Sequence, residues 1–315
     1  MRVAPVGVAA ATTARASSRA EAPAARRNAN VEVYSYDAKT GVDTLGQKTG
    51  SAASNDAVVR VAFENAAKVV AYYRDRYGRD SFDNRGTTVK VRVHAPDANT
   101  GQVPANNAYW FNDEKRMWFG DGDGSVFAPL GNALDVVAHE FTHGVIDSEI
   151  KLETDGQEGG LHESFSDVMA TGIDGNWTIA EDVWTPGVAG DALRDFTNPK
   201  YKHMTEVPPW AESHDLASIP NAAAYKVAQT IGGDQMRKIW YKALTDKLAS
   251  HAGFSGAAQA TLSAAELMHG KTSREYAAVR DAWAAVGVDD ATPKERIKGE
   301  VERFTMANVP HVKLF

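Results

Sequence analysis

Apolar and polar residues alternate over residues 31–37 (VEVYSYD) and 87–95 (TTVKVRVHA). Alternation puts every second side chain on one face, so both segments predict half-buried strands. Two aromatic runs, 107–111 (NAYWF) and 115–120 (KRMWFG), predict two more, and GDGDG at 120–124 predicts a turn. Between them, Val58, Ala62, Ala66, Val69 and Tyr73 recur at helical spacing within 55–77, and Gly78 supplies a stop. From Leu134 onward the period becomes helical, over 134–146, 159–173, 220–230, 234–248, 256–268 and 272–286. Pro220 suits a first helical turn, and Thr272 with Glu275 reads as a capping box. Strands followed by helices predict an α+β fold in two lobes. The strand-rich lobe spans 31–150 and ends in the helix that carries the chemistry; the helical lobe spans 151–288.

The two ends read differently. Residues 1–30 are rich in Ala with scattered Arg, the composition of a disordered leader or a short propeptide. Residues 4–11, after Arg2, loosely resemble the apolar part of a signal peptide. A secreted, extracellular protein is the expectation, with a cytoplasmic one as the alternative. The tail, 289–315, is more charged, and Thr292-Pro293-Lys294-Glu295 predicts a docked or frayed terminal helix.

Composition narrows the chemistry. At 315 residues the chain can bury a core without covalent staples. Its net charge of −7 argues against nucleic acid or an anionic membrane surface as partner. With no cysteine, thiolate nucleophiles and Cys–zinc sites are excluded, so any metal must be held by His and carboxylates.

The segment that meets this demand is Asp135-Val-Val-Ala-His139-Glu140-Phe-Thr-His143-Gly144. Imidazoles four apart on a helix share a face and can reach one ion. Glu140 is angled away from a direct bond but can reach a water on that ion, the position of a general base. A catalytic zinc site has three protein ligands and one open position. Glu163, 20 positions after His143, allows a chain reversal and is the candidate third ligand; its neighbour His162 is the second choice. Asp167, one turn beyond Glu163, is placed to accept the free N–H of a ligand histidine.

Over residues 31–288 the sequence resembles the thermolysin-like zinc metallopeptidases, and its short leader is similar to that of the protealysin-like branch. DVVAHEFTHGV resembles the family's zinc helix and GGLHESFSDVM its third-ligand helix. The resemblance implies His139, His143 and Glu163 as zinc ligands and Glu140 as the base acting on zinc-bound water. NNAYW at 106–110 is similar to the strand that pairs with substrate backbone, implying contacts from Asn107 and Ala108. EDVWTPGVAGDALRD at 181–195 places Arg194 near a substrate carbonyl, and SHDLASIPNAAAY at 213–225 implies a catalytic His214, protonated to hold the oxyanion. Leu130, Val136 and Leu193 match apolar pocket positions and imply cleavage before bulky hydrophobic residues. Asp135, Asp174 and Glu181 match calcium carboxylates; the short loop between the last two limits the expectation to one weak Ca2+ site.

Three departures stand out. Thr154 occupies the position where the family has an oxyanion-binding tyrosine, and His162 the position of an asparagine. Pro208-Pro209-Trp210-Ala211-Glu212 replaces the usual glycine-rich approach to the catalytic histidine, with Glu212 as the candidate carboxylate to orient it. The function expected is a zinc-dependent neutral endopeptidase, a monomer acting on peptide or protein substrates. The alternative is a zinc-binding pseudopeptidase or binding protein of weak or no activity. Removal of the first ~30 residues is expected on the composition of the leader.

Overall fold

The computed structural model describes residues 29–288. The leader, its removal and the terminal helix expected at 292–295 lie outside these residues. Seven residues, Val31–Asp37, form β1, and Val42–Lys48 returns as β2. Ala57–Tyr77 forms α1, followed by β3 (Val89–Val93), β4 (Ala108–Phe111) and β5 (Arg116–Phe119). The sheet runs β2-β1-β3-β5-β4, with β1, β3 and β5 parallel and both outer strands antiparallel to their neighbours. β4 is therefore an edge. β2 escapes the hydrophobic pattern because its apolar residues Val42 and Leu45 are exposed, so no alternation marks it.

α1 starts where Asp56 accepts the N–H groups of Val58 and Val59 and stops at Gly78, which takes the left-handed conformation that glycine adopts freely (φ 67°). Its face of Val59, Ala62, Ala66, Val69 and Tyr73 is buried against the sheet and the next helix. That helix, α2 (Leu134–Glu149), is buried continuously from Asp135 to Ile146. A helix apolar or buried all round belongs in the middle of a molecule, and α2 lies between α1, β4 and α3 (Gly156–Asp174). A short connection returns the chain, so α3 runs antiparallel to α2.

The helical part is completed by α4 (Ser213–Leu216), α5 (Ser218–Ile231), α6 (Gly233–Asp246), α7 (Phe254–His269) and α8 (Arg274–Ala285). Its core includes stacked Trp240 and Trp283, and the indole N–H of Trp283 donates to Thr261 Oγ1 at 2.8 Å. Two-residue strands β6 (Thr178–Ile179) and β7 (Arg194–Asp195) pair beside α3. The capping box expected from Thr272 is displaced by one residue. Ser273 is the N-cap of α8 and accepts the N–H of Tyr276, which leaves Thr272 outside the helix.

Two local features fix the sheet to the helices, one at α2 and one at the start of α1. At Gly144 a Cβ would lie 2.8 Å from the Trp110 ring, so glycine is what lets α2 approach β4. His94, at the end of β3, adopts φ 55° and bridges Asp121 Oδ1 at 2.8 Å and Asp56 Oδ2 at 3.0 Å. Hydrogen bonding to Asp121 is the largest influence on this imidazole; burial opposes it, Asp56 adds to it, and its pKa rises to about 9.

Gly144→Ala is expected to destabilise the fold by about 1–3 kcal/mol, because an indole cannot yield as a flexible chain would; denaturant titration measures it. His94→Asn keeps a residue that tolerates the left-handed conformation but removes the charge. Because the folded pKa is raised above the unfolded value, the wild type's advantage is full below about pH 6.5 and is lost as pH rises through about 9. Paired melts across that range check it, and a gap that widens with pH contradicts it.

Candidate metal centre and cleft

Antiparallel packing of α2 on α3 sets residues 139 and 143 opposite 163. His139 Nε2 lies 2.9 Å from His143 Nε2 and 3.1 Å from Glu163 Oε2, and His143 Nε2 lies 3.7 Å from Glu163 Oε1. A tetrahedral zinc at about 2.0–2.1 Å from each donor would space its donors by about 3.3–3.4 Å. The three separations bracket that edge, so the donor set fits the ion by size and by type. Glu140 also brings an oxygen within 4.8 Å of both imidazole nitrogens. Glu163 is the closer carboxylate, and it faces the histidines from the opposite helix, so it is the better third donor.

Electrostatics favour a cation here. Burial works against charge on His139, but Asp167 and Glu163 outweigh it and hold the imidazole at about 10. Glu163 is held well below the usual carboxylate range despite its burial, because His214, His143 and His139 surround it. His143 is driven well below the usual histidine value, chiefly by burial. The carboxylates thus call for positive charge at the meeting point of the Nε2 atoms. Glu140 is different: burial pushes its carboxyl up to about 8 against the pull of His139, and Glu163 adds to the rise. Neither of its oxygens makes a hydrogen bond of ordinary geometry. At that value the carboxyl holds its own proton at neutral pH; a cation at the Nε2 atoms would lower it and leave a carboxylate able to take a proton from a guest.

The rear of the site is built around Asp167, which is fully buried. Its Oδ1 meets His139 Nδ1 at 2.9 Å, and Arg194 clamps it with Nε at 2.8 Å and an Nη at 2.6 Å. Asn221 on α5 donates to Asp167 Oδ2 at 2.9 Å and accepts from Ser164 Oγ at 2.7 Å. Burial raises and these cations lower the Asp167 pKa, leaving it at about 2. Arg194, expected near a substrate carbonyl, therefore commits two nitrogens to Asp167.

His214 enters from the other side. Gly159 and Gly160 at the start of α3 leave room for α4: a Cβ on Gly159 would fall 2.3 Å from Ser213 Oγ, and one on Gly160 2.9 Å from Leu216 Cβ. That approach sets His214 Nε2 3.4 Å from Glu163 Oε2. Burial lowers the His214 pKa below its usual value. Burial thus weighs against the expected protonated imidazole; in the neutral form the ring donates only its N–H. Glu212 precedes α4 as its N-cap, and no hydrogen bond joins it to His214 among the described residues. Thr154 is exposed, and its carbonyl accepts from Ser213 Oγ at 2.8 Å; a hydroxyl on this turn does not replace a tyrosine reaching into the cleft.

Asn107 and Ala108 open the edge strand β4, where the Asn107 side chain accepts from the Ala108 N–H at 3.0 Å. A cavity of about 470 Å3 adjoins His214, walled by Leu193, Arg194, Phe196, Lys200 and Asp215. Of the three expected apolar pocket residues, Leu193 lines it. Leu130 and Val136 are fully buried in the core at 0% exposure, so neither offers surface to a substrate side chain. A cavity of about 530 Å3 elsewhere is lined by Tyr77, Arg79 and Glu149; its arginine is saturated by Phe82, Ser148, Glu149 and Tyr241, and no site candidate lines it.

The acidic cluster is a separate matter. Asp135 is buried and accepts the N–H groups of Val136 and Ala180. Burial, with Glu181 and Asp174 nearby, pushes it up to about 7; burial and Glu181 push Asp174 up to about 6. The Asn176 amide nitrogen bridges Asp174 and Glu181. That bridge puts a protein donor where a calcium ion would need oxygens.

Sequence reasoning missed Asn221, which lies 54 positions from Asp167 and carries no local signal. It also missed Asp147, which continues the 139, 143 face by one more turn and was open to detection on spacing. His162 does not point at the metal donors; its two nitrogens face His143 and Asp147.

Residues 13–147 match the thermolysin metallopeptidase catalytic-domain family, and residues 150–288 the thermolysin metallopeptidase alpha-helical domain. An extracellular elastase of Staphylococcus epidermidis is 37% identical over 270 residues, 82% of this chain and 52% of its own. Neutral protease B of Bacillus subtilis (strain 168) is 36% identical over 259 residues, 76% of this chain and 47% of its own. The chain spans about half the length of the curated relatives it matches. The solved precursor of protealysin, a metalloproteinase from Serratia proteamaculans, superposes with a TM-score of 0.71 at 30% identity, covering 82% of this chain and 88% of that one. This chain belongs to the thermolysin family of metallopeptidases.

Proposed function

We propose that the protein is a zinc-dependent endopeptidase, with His139, His143 and Glu163 holding the ion and Glu140 serving as general base. The observation that carries this reading is the convergence of both Nε2 atoms and the Glu163 carboxylate beside a buried Glu140 carboxyl that makes no hydrogen bond of ordinary geometry. Zinc bound there supplies a Lewis acid that polarises the scissile carbonyl and acidifies a water. Glu140 takes a proton from the attacking water and gives it to the leaving amine. The N–H of His214 donates to the oxyanion as the carbonyl carbon becomes tetrahedral. Asp167 holds His139 in the tautomer that leaves Nε2 free for the metal, and Arg194 and Asn221 hold Asp167. Asn107, Ala108 and the rest of edge strand β4 bind an extended peptide by strand addition.

The cavity beside His214, with Leu193 and Phe196 in its wall, supports cleavage before bulky hydrophobic residues. The extracellular elastase among the relatives supports an extracellular site of action. Calcium is supported only by the carboxylates of Asp135, Asp174 and Glu181, as one weak site. The exposed Thr154 favours a second reading, a zinc-binding protein of weak or no activity.

Glu140→Gln is expected to lower kcat by about 10²–10⁴ while zinc uptake is unchanged. Cleavage of a quenched peptide together with metal analysis checks it; persistent zinc-dependent turnover removes Glu140 from its role. His214→Ala is expected to cost about 10²–10³ in kcat in the same assay. Bound zinc with no turnover of any peptide by the wild type moves the conclusion to the second reading.

A further inference from the structure

The two imidazoles of the metal centre are backed in different ways. His139 Nδ1 meets the Asp167 carboxylate directly at 2.9 Å. His143 Nδ1 meets another imidazole, His162 Nδ1, at 2.6 Å, and His162 Nε2 meets Asp147 Oδ1 at 3.1 Å. The His143 and His162 rings are 4.6 Å apart between centroids and tilted by 34°. His143 and Asp147 are one turn apart on α2, and His162 reaches across from α3 to sit between them.

Only one arrangement of protons satisfies this chain with a metal at His143 Nε2. His143 Nδ1–H donates to His162 Nδ1, and His162 Nε2–H donates to Asp147. Ser166 Oγ also lies 3.1 Å from His143 Nδ1, but its hydroxyl is placed to donate to the His162 carbonyl at 3.0 Å, and it is the more distant acceptor. We infer that His162 is a positioning residue for the metal centre: carrying the Asp147 charge through its imidazole, it fixes the tautomer and orientation of His143 and strengthens it as a ligand. The inference rests on the zinc reading above. It gives both ligand histidines an aspartate, one by contact and one through an intervening ring.

Zinc affinity is read by chelator competition on the full chain, with EDTA-treated melts to report the fold without metal. His162→Leu is expected to weaken zinc binding about 10–100-fold and to shift the visible bands of the cobalt-loaded protein. His162→Asn, whose amide oxygen can accept the same N–H, is expected to recover most of the affinity. Asp147→Asn is expected to weaken binding alone and to add nothing in the His162→Leu background, because the chain is already cut. A folded His162→Leu that binds zinc like the wild type overturns the inference, as does an undiminished Asp147→Asn effect in that background. If His162→Leu does not fold, Asp147→Asn decides: unchanged affinity overturns it and weakened affinity supports it. A wild type that takes up zinc while His162→Leu matches it spares the zinc reading; a wild type that takes up none removes both.

Discussion

Ionisable groups do not enter a protein interior without compensation. Burying an unpaired charge costs several kcal/mol even after relaxation, yet His139, Glu140, His143, Glu163 and Asp167 share one buried shell between α2 and α3. The surroundings answer that constraint. Arg194 and Asn221 are drawn onto Asp167, His162 and Asp147 onto His143, and α4 is packed closely enough to bring His214 beside Glu163. Glu140 is answered least: neither of its oxygens makes a hydrogen bond of ordinary geometry, and burial raises its pKa. A buried carboxyl so weakly held is free to exchange a proton with a guest.

The same shell explains why α2 is buried on its polar side as well as its apolar side. Its apolar residues pack outward on α1, β4 and β5, and its polar face packs inward on α3. Hydrophobic burial alone discriminates poorly among registers where the ionisable side chains of two helices meet. Here the register is specified by paired donors and acceptors, and a slip by one residue would strand a histidine against a carbon. Stability and chemistry at this interface are therefore one set of contacts.

Much of this could be read from the chain, and the reason is local periodicity. His139 and His143 are four apart, Glu163 and Asp167 are four apart, and helical geometry alone puts each pair on a face. β1, β3 and α1 alternate or recur cleanly, and they form within two residues of where the pattern sets them. β2 is invisible because its apolar residues, Val42 and Leu45, are exposed while a polar one, Gln47, is buried. Asn221 and the Gly159 approach are invisible because they depend on α4 and α5 docking against α3, a contact no sequence interval records. Leu130 and Val136 show the limit of matching positions: the residue types fit a pocket, but packing closed it over them. The pull of His214 toward its neutral form is hidden for a similar reason, since burial is a property of the neighbours rather than of the histidine.

The contact between Gly144 and the Trp110 ring has one more consequence. It favours one placement of α2 against the edge strand, because any other residue brought to that spot would carry a methyl or more into the indole. The distance between the chemical centre and edge strand β4 is thus set by one residue without a side chain. The opposite wall is held by the same device: a Cβ on Gly159 would fall 2.3 Å from Ser213 Oγ and one on Gly160 2.9 Å from Leu216 Cβ. Bare backbone on both sides thus sets how wide the cleft stands.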